Sequence, residues 1–375
     1  KSLKELRDRF HIPLTGKGKE GGEMVKSPLA TRAAKDALIK EFLDRGVTSY
    51  WVTGKTSDIA TSREAMENLA AQHEARTDKK GQELLRICKL VINVVSLRTV
   101  YMTVQRNLVG EDRVHCTVSM KQSTGRWSLS KPGLTVMGKR GDRWKEREMF
   151  VADPGDVIIA VDLSQVDMRA VAGLSGDQDY IDMLSHEDPH TEIAKLLFGT
   201  ADQREEAKKI GHGWNYGRGI KGICNTYDMD PQLVITFDKA MRARFPRLVR
   251  WQDEVRGRAE TGALLDNGFG RLMRPETTRA HTQGPALMGQ GAARDIMMEG
   301  LLRLADRYPE YLPYLRAQVH DEVILSVPAE RAREIQDNVI DRLSFNWVAP
   351  SGKIVPIVAE GGPVDRTSWG RVYAK

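Results

Sequence analysis

The chain has 375 residues and a formal net charge of +6, enough length for two or three domains or subdomains around a large core. The basic excess is compatible with a polyanionic partner but does not establish one, and no apolar run approaches the roughly 18 residues that span a bilayer. Three scattered cysteines (Cys88, Cys116 and Cys224) without a C-x-x-C pattern argue against a zinc site and a disulfide framework, which favours a reducing, cytoplasmic setting.

Helical patterns dominate residues 1–112. Ser27-Pro28 is typical of a helix start, and Thr61 or Ser62 is placed to cap the next helix. From 82 to about 107, apolar residues recur with a period near 3.6, which predicts one long helix. Such helices occur in any helical bundle, so they indicate no function by themselves.

From residue 113 onward, strand and helix patterns interleave unevenly, which predicts an α+β fold rather than a doubly wound sheet. The predicted elements are a strand at 157–163, helices at about 164–174, 189–198 and 202–214, a mainly helical stretch to 260, a hairpin-like section at 263–275, a helix at about 284–307, a strand–turn–strand around His320-Asp321, a helix at 329–344 and a short β section at the end.

Two short acidic segments adjoin apolar runs with strand character. A run of apolar residues from Val157 leads into Asp162, and Asp321-Glu322 is followed by Val323, Ile324 and Leu325. A carboxylate at the end of a buried strand is unfavourable unless a positive group meets it. Two of them, 159 positions apart, predict one shared site for Mg²⁺ that is also bound by phosphates. The alternative at each aspartate is a strand-end turn or an ordinary ion pair.

A third segment places cations on one face of a helix. At 100° per residue, Arg204, Lys208, His212 and Asn215 fall within one quadrant. Two cations at i and i+4 repel each other mildly, and a polyphosphate bound across both would reverse that effect. The alternative is a solvated basic face that Glu205 and Glu206 neutralise.

DLSQVDMR followed by QVHDE resembles motifs A and C of the family A DNA polymerases, the group of bacterial DNA polymerase I and many phage replicative enzymes. Between them, QREEAKKIGHGWNYGRG at 203–219 resembles motif B, while STGRWSLSKPGLTVMGKR resembles the TGR segment and SPLATRAAKDALIKEFLDRGV the thumb. The resemblance covers nearly the whole chain. It implies a right-hand fold with an antiparallel-sheet palm and helical fingers and thumb, divided into thumb (1–112), palm (113–187), fingers (188–280) and palm again (281–375).

The resemblance implies a template-directed DNA polymerase that extends a primer 3′-OH with dNTPs by two-metal phosphoryl transfer. Asp162, Asp321 and the carbonyl of Leu163 are implied to hold two Mg²⁺ ions, with Mn²⁺ as an alternative, and Glu322 to stand beside them. Lys208 is implied to donate a proton to the leaving pyrophosphate. The implied partners are primer–template DNA and dNTPs, for a monomer without a membrane role in a bacterial or phage-infected cell.

By the same resemblance, further residues contact the substrates. Arg126 lies near the primer strand, and Arg140, Gln290 and His320 meet the minor groove or the primer end, where such contacts check geometry without reading sequence. For His190 the alternative is a helix-start histidine that follows Pro189. The implied nucleotide-binding residues are Ser164, Gln165, Asp167, His190, Arg204, Lys208, His212 and Tyr216.

Several residues depart from the family pattern. Asp167 stands where glutamate is usual, and its side chain is one methylene shorter, which predicts weaker rejection of ribonucleotides. His212 replaces an aromatic residue against the sugar, so dideoxynucleotide use could change in either direction. Ala286 replaces an asparagine, which removes one polar contact near the template, and the Asn-Leu-Gln-Asn run of the TGR segment is absent. These changes suggest a divergent, phage-type branch.

Two rival functions remain at this point. A phage-type single-subunit RNA polymerase shares the palm, and the shorter Asp167 favours it, whereas Glu322 after Asp321 and the thumb segments count against it. A non-catalytic DNA-binding scaffold would keep the fold without the chemistry. The chain begins at Lys1 and carries no exonuclease carboxylate set, so we expect an excised or processed chain that does not proofread.

Overall fold

The computed structural model describes residues 2–12, 29, 32–48, 60, 62–107, 112–138, 141–186, 188–227, 229–276 and 280–373. The chain divides into two compact units, Lys1–His115 and Cys116–Lys375. Each unit has a hydrophobic core of its own. Across the described ranges, no helix is long and apolar enough to cross a bilayer.

The described part of the amino-terminal unit is helical. Ser62 caps α3 as predicted, because its hydroxyl accepts a hydrogen bond from the Ala65 N–H at 3.2 Å. The predicted long helix is confirmed as α4. The helix expected to start at Ser27-Pro28 begins later, at Arg32, with Leu29 buried in a turn, while Ser27 and Pro28 lie outside the described residues. The helices are α1 (Ser2–Asp8), α2 (Arg32–Asp44), α3 (Arg63–Gln72) and α4 (Lys79–Asn107).

The carboxy-terminal unit mixes helices with antiparallel strands, which confirms the α+β prediction. Its helices are α5 (Val166–Ser175), α6 (Gln178–Met183), α7 (Pro189–Phe198), α8 (Arg204–Asn215), α9 (Ile220–Tyr227), α10 (Pro231–Arg244), α11 (Pro246–Glu260), α12 (Ala280–Arg307) and α13 (Ala332–Leu343). Its strands are β1 (Thr117–Ser119), β2 (Ser128–Ser130), β3 (Asp156–Leu163), β4 (Leu265–Asp266), β5 (Leu272–Met273), β6 (Leu315–Val319), β7 (Glu322–Pro328), β8 (Phe345–Val348), β9 (Ile354–Ile357) and β10 (Ala359–Gly361).

The central feature of this unit is a four-stranded sheet in the order β10-β3-β7-β6 with antiparallel neighbours. Along β3, Val157, Ile159 and Val161 enter the main core, whereas Ile158 and Ala160 pack with Trp369 on the opposite face. Both faces of the strand are therefore covered, which explains why its sequence is an unbroken apolar run rather than an alternating one.

Helices pack on the main-core face of the sheet and on one another. Helix α13 packs on β3 and β10, and α12 packs on both α5 and α11. The predicted helix after β3 starts at Val166 rather than at 164, because Gln165 adopts the left-handed conformation (φ 53°) and ends the strand in a turn. The hairpin around Asn267-Gly268 is confirmed as β4 and β5.

Candidate active site

Asp162 and Asp321 lie at adjoining positions at one end of the sheet. Asp162 is the last residue but one of β3, and Asp321 lies in the two-residue turn between β6 and β7. In the antiparallel register Asp162 faces Glu322, and the Leu163 N–H donates to the carbonyl oxygen of Asp321 at 2.9 Å. The fold thus brings two aspartates that are far apart in sequence to the same end of the sheet.

The carboxylate oxygens at this end of the sheet are ligands that suit a hard divalent cation. Mg²⁺ takes one or two protein carboxylates and completes its coordination with water and phosphate oxygens. Within the described ranges, no group of three or more His, Cys, Asp or Glu side chains gathers into a metal cage. Two neighbouring carboxylates, Asp162 and Asp321, fit a cation that takes its other ligands from water or a phosphate.

A buried arginine supports the turn that follows β3. The Ser164 N–H donates to the Val358 carbonyl at 2.8 Å. The Arg169 guanidinium donates to the carbonyl oxygens of Ser164 (3.0 Å), Leu184 (2.9 Å) and Pro356 (2.7 Å). Burial lowers the pKa of Arg169 below its usual value. Sequence reasoning missed this residue, because one arginine on a helix carries no signal of burial.

Glu322 is held by the end of the chain. Its Oε2 accepts hydrogen bonds from the Tyr373 hydroxyl at 2.5 Å, from Trp369 Nε1 at 3.4 Å and from Arg147 Nη1 at 3.5 Å. The Arg147 guanidinium also lies 4.0 Å from the ring centroid of Trp369. Burial and the adjacent Glu322 carboxylate raise the pKa of Tyr373. This placement favours a supporting role for Glu322 over direct metal binding.

On helix α8, Arg204 donates hydrogen bonds to two carboxylates. Its Nε and Nη2 donate to the two carboxylate oxygens of Asp188 at 2.6 and 3.3 Å, and its Nη1 donates to Glu205 at 2.6 Å. Burial would raise the pKa of Asp188, but hydrogen bonds from Arg204 and Thr191 lower it to about 2. A phosphate that binds Arg204 must join or displace Asp188, a residue that sequence reasoning did not single out.

His190 is buried beside the cations of α8. Burial, followed by the positive charges of Lys208 and Arg204, lowers the pKa of His190 to about 4, so the imidazole is neutral at pH 7. Its Nδ1 is buried without a hydrogen-bond partner in the part of the chain that the structure describes. A neutral imidazole next to two cations can accept or donate a hydrogen bond without adding charge.

An open cleft of about 590 Å³ connects the turn after β3 with the start of α8. This volume is within the range of about 300–1,000 Å³ that is typical of small-molecule sites. The cleft brings together three of the predicted nucleotide-binding residues, Ser164, Gln165 and Arg204. It is lined by Ser164, Gln165, His186, Asp188, Thr191, Glu192, Lys195, Arg204 and Glu360.

Asp167 lies in a second group of predicted residues. Its carboxylate forms an ion pair with Arg126, and the rings of His212 and Tyr216 meet edge to face at a centroid distance of 5.4 Å. Burial lowers the pKa of Arg126, but the charges of Asp167 and Asp321 act against this and raise it overall. Burial, with the negative charge of Asp167, raises the pKa of Tyr216 well above its usual value. Asp167, Arg126 and Tyr216 are therefore close neighbours.

Comparison with known protein families identifies the fold and its relatives. Residues 33–361 match the family model described as DNA polymerase family A. The chain belongs to DNA polymerase family A. The resemblance drawn from motifs A, B and C is thus confirmed for nearly nine tenths of the chain, although the role of each site residue stays a prediction.

Named relatives of this family A chain come from phages and bacteria. It is 30% identical over 278 residues to a DNA polymerase of Mycobacterium phage D29, covering 70% of this chain and 43% of the relative. It is 26% identical over 328 residues to the thermostable DNA polymerase I of Thermus aquaticus, covering 80% of this chain and 38% of the relative. The chain therefore spans less than half the length of these relatives.

A solved structure shares the fold of this family A chain. The POL domain of Pol1 from M. smegmatis, in complex with a DNA primer–template and dNTP, matches with a TM-score of 0.71 and 19% identity, over 99% of this chain and 66% of that one. This likeness confirms the predicted α+β right-hand polymerase fold.

Of the four residues predicted to contact DNA, the structure brings Arg126 and His320 together. Arg140 lies outside the described residues, and Gln290 is half-buried on α12. His320 adopts the left-handed conformation (φ 58°) in the turn before Asp321, and its Nε2 lies 3.1 Å from the Thr135 carbonyl oxygen. Arg126 and His320 share one small cavity, which is lined by Arg126, Trp127, Arg294, Met297, Met298, Gln318 and His320.

A buried carboxylate on α12 anchors the loop that carries Arg126. Asp295 accepts hydrogen bonds from Asn267 at 2.7 Å, Arg271 at 2.9 Å and Arg294 at 2.6 Å, and Arg294 Nε donates to the Gly125 carbonyl at 3.1 Å. Burial raises the pKa of Asp295, but these hydrogen bonds lower it overall. Sequence reasoning missed this network, because its members come from three separate segments.

Asn215, which shares a helical face with Arg204, Lys208 and His212, bonds to neighbouring elements of the fold. Asn215 is buried, its Oδ1 accepts a hydrogen bond from the Tyr180 hydroxyl at 3.0 Å, and its Nδ2 donates to the Asp167 carbonyl at 3.4 Å. It fastens the end of α8 to α5. The cations of this face are Arg204 and Lys208, and burial lowers the pKa of the neighbouring His212.

Proposed function

We propose that this chain is the polymerase part of a template-directed DNA polymerase, which extends a primer 3′-OH with dNTPs by phosphoryl transfer. One observation carries the proposal. Asp162 and Asp321 adjoin at one end of the sheet, and the turn directly after Asp162 lines a cleft that also reaches Arg204. Carboxylates for metal ions and a cation for phosphates are the two requirements of this chemistry.

Asp162, Asp321 and the carbonyl of Leu163 would hold two Mg²⁺ ions, or Mn²⁺ in their place. When bound, these ions would make the primer hydroxyl more acidic and neutralise the departing pyrophosphate. The chain itself contributes the position of the carboxylates. The Leu163–Asp321 backbone hydrogen bond fixes their separation along the strands, and the buried pairing of Glu322 with Arg147 keeps the start of β7 in place.

Helix α8 would align the nucleotide along its axis. Arg204 and Lys208 are one turn apart and bind the triphosphate, assisted by the neutral imidazole of His190. Lys208 donates the proton that the leaving pyrophosphate needs. One and two turns further, His212 and Tyr216 meet the sugar and the base, while Ser164 and Gln165 face the phosphates from the turn after β3.

The wider context of the activity is also proposed. The partners are primer–template DNA and dNTPs, bound by a monomer in the cytoplasm of a bacterium or a phage-infected cell. Arg126, Arg140, Gln290 and His320 would contact the DNA near the primer end. The proposed subdomains are a thumb at 1–112, a palm at 113–187 and 281–375, and fingers at 188–280. The family match and the phage and bacterial relatives support this assignment.

Primer extension tests the proposal directly. With Mg²⁺ and four dNTPs, the protein should lengthen a labelled primer on a template in steps that follow the template sequence, and a chelator should stop the reaction. Tight binding of the primed template without any extension would instead indicate a DNA-binding scaffold. Synthesis from rNTPs without a primer would indicate an RNA polymerase.

Sugar selection should change when Asp167 is lengthened. Asp167→Glu lengthens by one methylene the side chain that is expected to exclude the ribose 2′-OH. The variant should therefore prefer dNTPs over rNTPs about tenfold or more strongly than the wild type. The measurement is kcat/KM for single-nucleotide incorporation with each sugar. Asp179→Glu, an exposed change on α6, serves as the matched control. Strong rejection of rNTPs by the wild type, unaltered in the variant, would refute this prediction.

A further inference from the structure

Arg126 and Asp167 form an ion pair between two separate segments. Arg126 comes from the loop before β2, and Asp167 lies in the first turn of α5. The exposed fractions of their side chains are 26% and 24%, so the pair is only partly screened by water. Asp167 is two residues from Gln165, which lines the nucleotide cleft.

The sugar of a bound nucleotide would lie next to this pair. If the phosphates occupy Arg204 and Lys208, the sugar falls about one helical turn (~5.4 Å) further along α8, at His212. The charge of Asp167 is felt by both His212 and Tyr216, and the Asn215 side chain donates to the Asp167 carbonyl. Asp167 therefore faces the part of α8 where the sugar is expected.

The loop that presents Arg126 is held firmly. The Thr124 hydroxyl accepts a hydrogen bond from the Arg126 N–H at 3.3 Å, and Arg294 donates to the Gly125 carbonyl at 3.1 Å. Gly125 has φ +71°, a conformation that favours glycine, and a Cβ atom there would lie 2.3 Å from Arg271 Nη1. The backbone that presents Arg126 is thus held in place on both sides of the residue's N–H, and its guanidinium pairs with Asp167.

We propose that Arg126 is a positioning residue for sugar selection, acting by engaging the Asp167 carboxylate that faces the nucleotide. This inference rests on the proposed polymerase function. A carboxylate oxygen already paired with a guanidinium offers little to a ribose 2′-OH, whereas an unpaired carboxylate accepts a hydrogen bond from it. By pairing with Asp167, Arg126 therefore prevents a hydrogen bond between the ribose 2′-OH and the Asp167 carboxylate, which would otherwise favour ribonucleotides.

The test compares Arg126→Gln and Arg126→Lys with the wild type. We measure kcat/KM for one dNTP and the matching rNTP on a primed template. Arg126→Gln should lower the dNTP preference by about tenfold, the effect of one hydrogen bond to a charged acceptor. Arg126→Lys keeps a cation and should fall between the two. An equal loss of both rates, with an unchanged ratio, would show that Arg126 serves the primer alone and overturn the proposal.

Arg294→Gln is the matched control, since it loosens the same loop without contacting Asp167. It should lower both rates and leave the ratio of dNTP to rNTP unchanged, and a ratio change as large as that of Arg126→Gln would overturn the proposal. Equilibrium dissociation constants of non-hydrolysable α,β-imido dNTP and rNTP analogues give the ratio of binding affinities without turnover, and Arg126→Gln should shift it in the same direction. If the wild type fails to extend primers, the proposed function fails, whereas the analogue ratios still decide the role of Arg126.

Discussion

Asparagine in place of Asp162 should reduce primer extension by about a thousandfold or more, with little change in affinity for primed DNA. Asparagine has nearly the same shape as aspartate but carries no charge, so it binds a hard divalent cation poorly. The β3–β7 pairing made by the backbone around Asp162 is retained. Extension rates under single-turnover conditions and the dissociation constant of a labelled primer–template measure the two effects.

Asp179→Asn provides the matched control for this change, because it also replaces an aspartate by asparagine but lies on the exposed part of α6. It should extend primers at the wild-type rate. The assignment of Asp162 to the metal site fails if Asp162→Asn retains extension within about tenfold of the wild type, a loss that matches only a single supporting contact.

Methionine in place of Arg147 should lower the free energy of unfolding by about 3–5 kcal/mol, because it removes the guanidinium that pairs with the buried Glu322 carboxylate. The side chains of Arg147 and Glu322 are each 4% exposed, so water cannot replace the lost partner. The Tyr373 hydroxyl and Trp369 Nε1 also donate to Glu322, and neither carries a positive charge. Denaturant unfolding measures the change.

Two further variants separate pairing from simple loss of an arginine. Arg244→Met removes an arginine whose partner, Asp179, is exposed, and should lower the free energy of unfolding by about 1 kcal/mol or less. The double variant Arg147→Met with Glu322→Gln should lose less than the sum of the single changes, since the buried group that faced Arg147 is then neutral. Strict additivity, or a loss from Arg147→Met no larger than that from Arg244→Met, would contradict the prediction.

Local sequence patterns predicted the elements that carry the fold. The apolar run ending at Asp162 predicted β3, the period of 3.6 residues predicted α4, and His320-Asp321 was placed in the turn between β6 and β7. Start positions were less predictable. The start of α5 depends on the left-handed conformation of Gln165, which is supported by the distant carbonyl contacts of Arg169 and has no sequence signature.

For the site, sequence reasoning identified residue types but not their partners. Periodicity along one helix placed Arg204, Lys208 and His212 on one face, yet it could not show that Arg204 meets Asp188 or that Asp167 meets Arg126. Such pairs depend on how separate elements pack in three dimensions. Nor could a helical angle show that Asn215, on the same face, bonds to Tyr180 and to the Asp167 backbone. The absence of proofreading also stays a prediction.

The order of strands in the central sheet has a consequence for biosynthesis. Strand β3 pairs with β7 and β10, which leave the ribosome only after α5 to α12 have been made. At a synthesis rate of about 5–20 residues per second, the apolar segment from Val157 to Val161 remains unpaired for many seconds before β7 and β10 are made. During this time it is prone to associate with other nascent chains. The end of the sheet that carries Asp162 and Asp321 is therefore among the last parts of the nascent chain to form.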